Sequence, residues 1–338
     1  MSSTTTPKRI PIEGSTGYGL MSLTWTSPDK IIPQEQAFET INNALADGVR
    51  FFNSGEFYGT GDPHLNLKYL RAYFEKYPKN RSKMIISVKG SVDLTTLAPD
   101  NSPENIKKSI ENIVSYFPNN YIDLFEPARQ DLKHSVEDVV KAIIPFIEAG
   151  KVGGISLSEV KGETIERANK IYPISCVEVE FSMWATEPLT NGTNDVCRKN
   201  GVPIIGYSPL GRGFLTGNIK STADIDKGSI LNWFGRFKDD ETIKANYSVV
   251  ELVTEYAKSK GVSNAQIALA WIRKHNDFPE KYARFVPIPS SSNPKRNHEN
   301  NTVVELTDAE FDAINEKLSK LKFIGSRYTE AAEQFLNV

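Results

Sequence analysis

The sequence predicts an α/β protein of the (β/α)8 class, a TIM barrel with enlarged loops on the C-terminal face of its strands. Three observations carry the prediction. Short apolar runs alternate with amphipathic stretches from end to end, the pattern of a parallel sheet joined by crossover helices. The runs number eight, and eight strand–helix units take about 250 residues, which leaves a surplus for loops in a chain of 338. No GxGxxG opens a helix after any of the runs, so a doubly wound sheet, the alternative, lacks its usual first turn.

Taken in order, residues 17–23 form the first predicted strand, followed by a helix over 34–47 that Gly48 closes. Strand 49–53 leads through a Gly-rich turn to a helix over 65–76, and strand 84–89 ends in Lys89. Ser102 as N-cap and Pro103 in the first turn start a helix over 103–116. Strand 122–126 precedes a helix over 136–149 closed by Gly150, and strand 153–157 precedes a helix near 162–170. Strands 175–181 and 203–208 flank a helix near 189–200. Residues 216–245 are too many for an ordinary strand–helix loop, and Trp233, Phe234, Arg236 and Phe237 within them suit a flap over a ligand. Helices over 247–260 and 263–274, a last strand over 285–289 and a helix over 307–321 complete the pattern. No linker or composition shift divides the chain, so residues 1–338 are expected to be one domain with a short polar extension, 1–9, at the start.

The formal net charge of −2 gives no electrostatic reason to expect nucleic acid or an anionic membrane as partner. No apolar run approaches the roughly 20 residues that span a bilayer. The expectation is a cytoplasmic protein, able to enter the nucleus passively, and a monomer or weak oligomer. Cys176 and Cys197 have no metal-ligand spacing, and His64, His134, His275 and His298 are scattered.

The chemistry concentrates in VRFFNSGEFYG, where an apolar run passes into a turn that carries Tyr58, and in the run that ends at Lys89. A tyrosine and a lysine at the exits of neighbouring strands can form a proton-donating pair. A free phenol has a pKa of about 10, and an adjacent ammonium lowers it by stabilising the phenolate. That is the tuning general-acid catalysis uses.

The motifs GYGLMSLTW, FFNSGEFYG, SVKG, IDLFEPARQD, GGISLSEV, VEVEFSMW, PIIGYSPLGRGFLTG and IPSSSNPKRNHENN resemble, in order and spacing, the landmarks of the aldo-keto reductases over nearly the whole chain. Within that family the texture, GISLSEV and FEPARQD most resemble the fungal pyridoxal reductases. The resemblance implies carbonyl reduction with NADPH on a TIM barrel by a Tyr, Lys, Asp and His tetrad. The tyrosine falls on Tyr58 and the lysine on Lys89, but the aspartate position holds Asn53 and the histidine position holds Ala128. Asn53 is expected to accept a hydrogen bond from Lys89 through its carbonyl oxygen. Glu126 shares a strand face with Ala128 and is expected to supply the missing negative charge.

The same resemblance assigns cofactor contacts. Gly19 and Met21 border the site. Ser158, Glu159 and Glu178 face the carboxamide, and Tyr207 stacks on the nicotinamide ring. Ser208, Leu210, Gly211, Arg212 and Gly213 serve the pyrophosphate, and Ser290, Ser291, Ser292, Arg296, Glu299 and Asn300 serve the adenosine end. Arg296 with Lys295 beside it favours NADP(H) over NAD(H), because a phosphate forms charge-assisted bonds that a hydroxyl cannot. Trp25, Phe57 and Trp233 are the expected walls of a pocket that takes a small-molecule aldehyde, with Ala128 leaving room beside the ring. Pyridoxal is the implied substrate. Two other readings are a broad aryl or aliphatic aldehyde reductase and a weakly catalytic NADPH-sensing subunit.

Overall fold

The computed structural model describes residues 7–338, so residues 1–6 of the expected N-terminal extension lie outside the described residues. Eight parallel strands lie in sequence order: β1 (Tyr18–Gly19), β2 (Phe51–Gly55), β3 (Ile85–Gly90), β4 (Ile122–Pro127), β5 (Val152–Ser158), β6 (Cys176–Glu180), β7 (Ile204–Tyr207) and β8 (Phe285–Pro287). Backbone bonds from Gly17 N to Pro287 O at 2.9 Å and from Gly19 N to Pro289 O at 3.2 Å join the last strand to the first. The ring is thereby stitched shut.

The helices are α1 (Gln34–Ala46), α2 (Leu65–Lys76), α3 (Pro103–Val114), α4 (Val136–Glu148), α5 (Gly162–Ile171), α6 (Thr193–Asn200), α7 (Asp240–Asn246), α8 (Ser248–Lys260), α9 (Asn264–Lys274), α10 (Pro294–Asn301), α11 (Asp308–Ser319) and α12 (Glu330–Glu333). Their ends follow local chemistry. Ser102 accepts from Asn105 N before α3, and Ser263 with Gln266 and Thr307 with Glu310 form capping boxes before α9 and α11. Gly48 and Gly150 have φ of +87° and +70°, the left-handed turn that stops α1 and α4 and that a side chain would strain.

Two expectations are corrected. The first strand is two residues rather than seven, because Met21–Leu23 tighten into a 3-10 turn. The helix expected near 189–200 begins only at Thr193, after a separate 3-10 turn over Glu187–Leu189. The adenosine stretch folds as α10, started by Asn293, whose side chain accepts from Lys295 N and Arg296 N. Among the described residues no helix is long and apolar enough to cross a membrane.

Strand alternation sorts the barrel interior into two layers. Near the N-terminal ends, Phe51, Leu124, Cys176, Ile205 and Val286 pack with Ile12 into a small apolar plug. Two residues further along β2 and β4 the same faces present Asn53 and Glu126. The larger core lies between the outer faces of the strands and the helices, with Phe52, Ile86, Val88 and Phe125 among its members. A polar layer therefore rests on an apolar floor, open only toward the C-terminal ends of the strands.

Candidate active site

The polar layer centres on Lys89, 5 % exposed at the end of β3. Its ammonium forms an ion pair with Glu178 Oε1 on β6, across the barrel lumen, and lies 3.4 Å from Glu126 Oε1 on neighbouring β4. Both carboxylates are fully buried. Glu178 Oε2 accepts from Asn53 Nδ2 at 2.6 Å, and Glu126 Oε2 accepts from Ser87 and Ser156 hydroxyls at 2.9 Å each. Burial alone would push the Lys89 ammonium toward its neutral form, but Glu178, Tyr58 and Glu126 outweigh it and hold the lysine above its ordinary value.

One expectation changes here. Asn53 does not accept from Lys89; its side-chain N–H donates instead to Glu178 Oε2. Glu178 already accepts from Lys89 through Oε1 and from Asn53 through Oε2. The expected counter-charge from Glu126 is present, and Glu178 adds a second and closer one.

Tyr58 is 5 % exposed, in the turn after β2, close enough to Lys89 for the ammonium to act on its phenol. Its pKa is not depressed as the pair alone suggests. Burial pushes it up to about 12, with Lys89 pulling it down and Glu178 and Glu126 pushing it further up. The ring is wedged: Trp25 lies 5.5 Å away at a 30° tilt and Phe57 5.2 Å away edge-on. Trp25 and Phe57 therefore sit beside the phenol as expected. Trp233 does not join them. It is 70 % exposed, while Phe234 next to it is buried.

Ala128 follows β4, and beside it Arg129 turns into the mouth of the barrel. The guanidinium donates to Ala128 O at 2.6 Å, Ser158 Oγ at 3.1 Å, Tyr328 Oη at 3.1 Å and Tyr207 Oη at 3.5 Å. Tyr207 and Tyr328 hydroxyls are themselves 2.7 Å apart. Lys89 Nζ stands 5.6 Å and Arg129 Cζ 6.0 Å from the Tyr207 ring centroid, so two cations lie near that ring. Glu159 accepts from Arg327 Nη2 at 3.0 Å and from the Glu180 N–H at 2.8 Å. Burial would raise the Glu159 carboxyl, but Arg327, Arg129 and that N–H hold it below its usual range.

The loop after β7 is built on unusual backbone. Ser208, Gly211, Arg212 and Gly213 have φ of +48°, +56°, +57° and +95°, and Glu159 after β5 has +53°. Non-glycine residues in this region store about 1–3 kcal/mol of strain each and cluster at functional sites. Arg212 is held 3.9 Å from Glu180, 4.3 Å over the Phe234 ring and 4.7 Å over the Tyr328 ring, yet its buried Nη2 has no hydrogen-bond partner among the described residues. Leu210 O accepts from Gly213 N and Leu215 N, which folds the loop back on itself.

Across the mouth, Gly19 lies tight against β8, where a Cβ would come within 3.1 Å of Ile288 O, and Met21 begins the following turn. Ser290 bonds Ser22 at 2.5 Å, Ser291 is buried with its carbonyl accepting from Tyr18, and Ser292 O accepts from Gln36. Arg296 is exposed on α10 with Glu299 partly buried one turn on, while Asn300 is buried and its carbonyl accepts from Arg273.

Arg129, Glu180, Arg327 and Tyr328 escaped the site prediction. Arg129 stood inside the FEPARQD motif but carried no chemical signal of its own, and Arg327 and Tyr328 lie beyond the last predicted helix.

Comparison with known proteins gives the family. Residues 16–319 match the model of the Aldo/keto reductase family. A Saccharomyces cerevisiae protein provisionally named a pyridoxal reductase is 41 % identical, over 94 % of this chain and 96 % of that one. A Schizosaccharomyces pombe protein provisionally named pyridoxal reductase 2 is 35 % identical, over 96 % and 97 %. Another from that organism, an aldo-keto reductase whose name carries NADP(+), is 29 % identical over 88 % and 87 %. The crystal structure of a thermostable aldo-keto reductase shares the fold with a TM-score of 0.66 at 19 % identity, over 90 % of this chain and 95 % of that one. The chain belongs to the aldo/keto reductase family and is an oxidoreductase of aldehyde and alcohol groups.

Proposed function

We propose that this protein reduces the aldehyde of pyridoxal to the alcohol of pyridoxine, with NADPH as reductant and Tyr58 as the proton donor. The observation that carries the reading is the Tyr58–Lys89 pair at the barrel mouth, held against Glu178 and Glu126. The names of the two yeast relatives supply the substrate. NADPH, when bound, supplies the hydride. The residues around it suit its parts: the unpartnered Arg212 nitrogen and the left-handed Gly211–Gly213 turn suit a pyrophosphate, and exposed Arg296 suits a further phosphate.

Tyr58 at about pKa 12 keeps its proton at neutral pH and releases it only to the far stronger base that forms as the carbonyl oxygen gains charge. Lys89 then stabilises the phenolate left behind. Trp25 and Phe57 exclude water on one side and offer flat apolar surface to an aromatic aldehyde.

The test is NADPH oxidation with pyridoxal near neutral pH, beside Tyr58→Phe. Wild-type turnover that falls about 100-fold or more in the variant is expected, given the usual worth of a general acid. Tight NADPH binding without turnover of pyridoxal would defeat the substrate assignment.

A further inference from the structure

Glu56 is a buried carboxylate that the polar layer does not use. It follows β2, stands two residues before Tyr58 and is 3 % exposed. Its Oε2 accepts from the Ser109 hydroxyl and its Oε1 from Asn112 Nδ2 at 2.7 Å, both donors on α3. Burial pushes its carboxyl up, while Ser109, Asn112 and the charge of Lys108 on the same helix pull it down. A buried carboxyl group is costly unless its oxygens are satisfied, and α3 satisfies both.

The same helix holds the end of β3. Ser109 Oγ accepts from Ser91 N at 3.0 Å, and a Cβ on Gly90 would come within 2.2 Å of that oxygen. Glu56 N donates to Lys89 O at 2.8 Å. The turn that carries Tyr58 and the strand end that carries Lys89 are therefore tied through the backbone of Glu56 and again through the Ser109 hydroxyl, which serves both. From the other side, Thr24 Oγ1 donates to Tyr58 O at 2.6 Å.

We propose that Glu56 is a positioning residue of the proton-donating pair, its grip on Ser109 and Asn112 setting the place of the Tyr58 phenol relative to the Lys89 ammonium. This rests on the reading of Tyr58 as proton donor. What Glu56 supplies is reach, not charge. Glutamine has the same reach and can accept from Asn112 and donate to Ser109, whereas aspartate keeps the charge but falls a methylene short of α3.

The full chain is assayed for NADPH oxidation with pyridoxal and with pyridine-4-carbaldehyde. Glu56→Asp lowers kcat about 10-fold, since small displacements of reacting groups cost up to about 100-fold. KM for the aldehyde, and NADPH affinity read by fluorescence titration, stay within about 3-fold of wild type, because the loss falls on the transition state. Glu56→Gln recovers most of kcat. Asn112→Ala, which loosens the grip from the α3 side, gives a loss of the same kind. In a Tyr58→Phe background Glu56→Asp costs nothing further, because no phenol remains to be misplaced. An equal loss in that background, a glutamine variant as impaired as the aspartate one, or wild-type kcat in Glu56→Asp would overturn the proposal. Wild-type turnover in Tyr58→Phe would end the proton-donor reading and this inference with it. Turnover of pyridine-4-carbaldehyde but not of pyridoxal would end only the pyridoxal reading, and the variants are then compared on the first aldehyde. Absence of turnover on both would end both readings.

Discussion

Lys89 on β3 reaches across the barrel to Glu178 on β6, and that contact relocates the lysine's counter-charge from the second strand to the sixth. The residue at the expected place, Asn53, remains in the network by donating to the same carboxylate. Glu126 approaches the ammonium from the adjacent strand. One cation is thus shared by two buried carboxylates, an arrangement with consequences for both stability and acid strength.

The first consequence is a pH-dependent stability. Burial, and then the Glu126 charge, raise the Glu178 carboxyl to about 8, with Lys89 opposing. A carboxyl raised in the folded state binds more protons folded than unfolded between its ordinary value and the raised one, so stability declines as pH climbs through that interval. Urea midpoints taken from about pH 5 to about pH 8.5 should fall, and Glu178→Gln should flatten the slope. A wild-type midpoint that rises over this range would contradict the assignment. Lys89, raised above its own ordinary value, titrates beyond the window and does not alter the sign.

The second is strong coupling between the carboxylates. In Glu126→Gln or Glu178→Gln the lysine retains one partner, whereas the double variant leaves a buried ammonium alone, a loss that costs about 3–5 kcal/mol. A double-mutant cycle in unfolding free energy should therefore give a coupling of about 1–3 kcal/mol, the double variant being worse than the sum. Additivity within about 0.5 kcal/mol would mean that the two groups act independently.

Gly55 sets the position of the phenol. A Cβ there would fall 2.7 Å from Tyr58 Cδ1 and 2.9 Å from Cγ, inside any allowed contact. Gly55→Ala should push the ring off Lys89 and lower kcat by about 10-fold or more, since small misplacements cost up to about 100-fold. The overpacking itself should cost only about 1–3 kcal/mol, so circular dichroism should report a folded barrel.

Arg296 bears on cofactor choice. It is exposed and forms no ion pair among the described residues, so a phosphate is free to engage it. Arg296→Ala should weaken NADPH binding by about 10- to 150-fold, equivalent to about 1.5–3 kcal/mol, and leave NADH binding nearly unchanged. Equal effects on the two cofactors in a fluorescence titration would remove the assignment.

The barrel could be read from the sequence because its evidence is local. Eight apolar runs, a capping residue such as Ser102, and stop signals such as Gly48 and Gly150 each act within a few residues of themselves. Tyr58 and Lys89 were legible for the same reason, each standing where a strand ends. Their partners were not. Whether Asn53 serves the lysine or the carboxylate depends on Glu178, a residue 125 positions away that arrives only when the ring closes. The direction of the Tyr58 shift likewise depends on how deeply the phenol is buried, which no spacing encodes. Arg129 meets Tyr328, 199 positions later, and Trp233 stands exposed while Phe234 beside it is buried, neither of which the spacing shows. Local chemistry, by itself, determined the strands, the helices and the proton-donating pair; the charges that surround that pair were decided by closure, which brings distant residues within a few ångströms, where Coulomb energies are large.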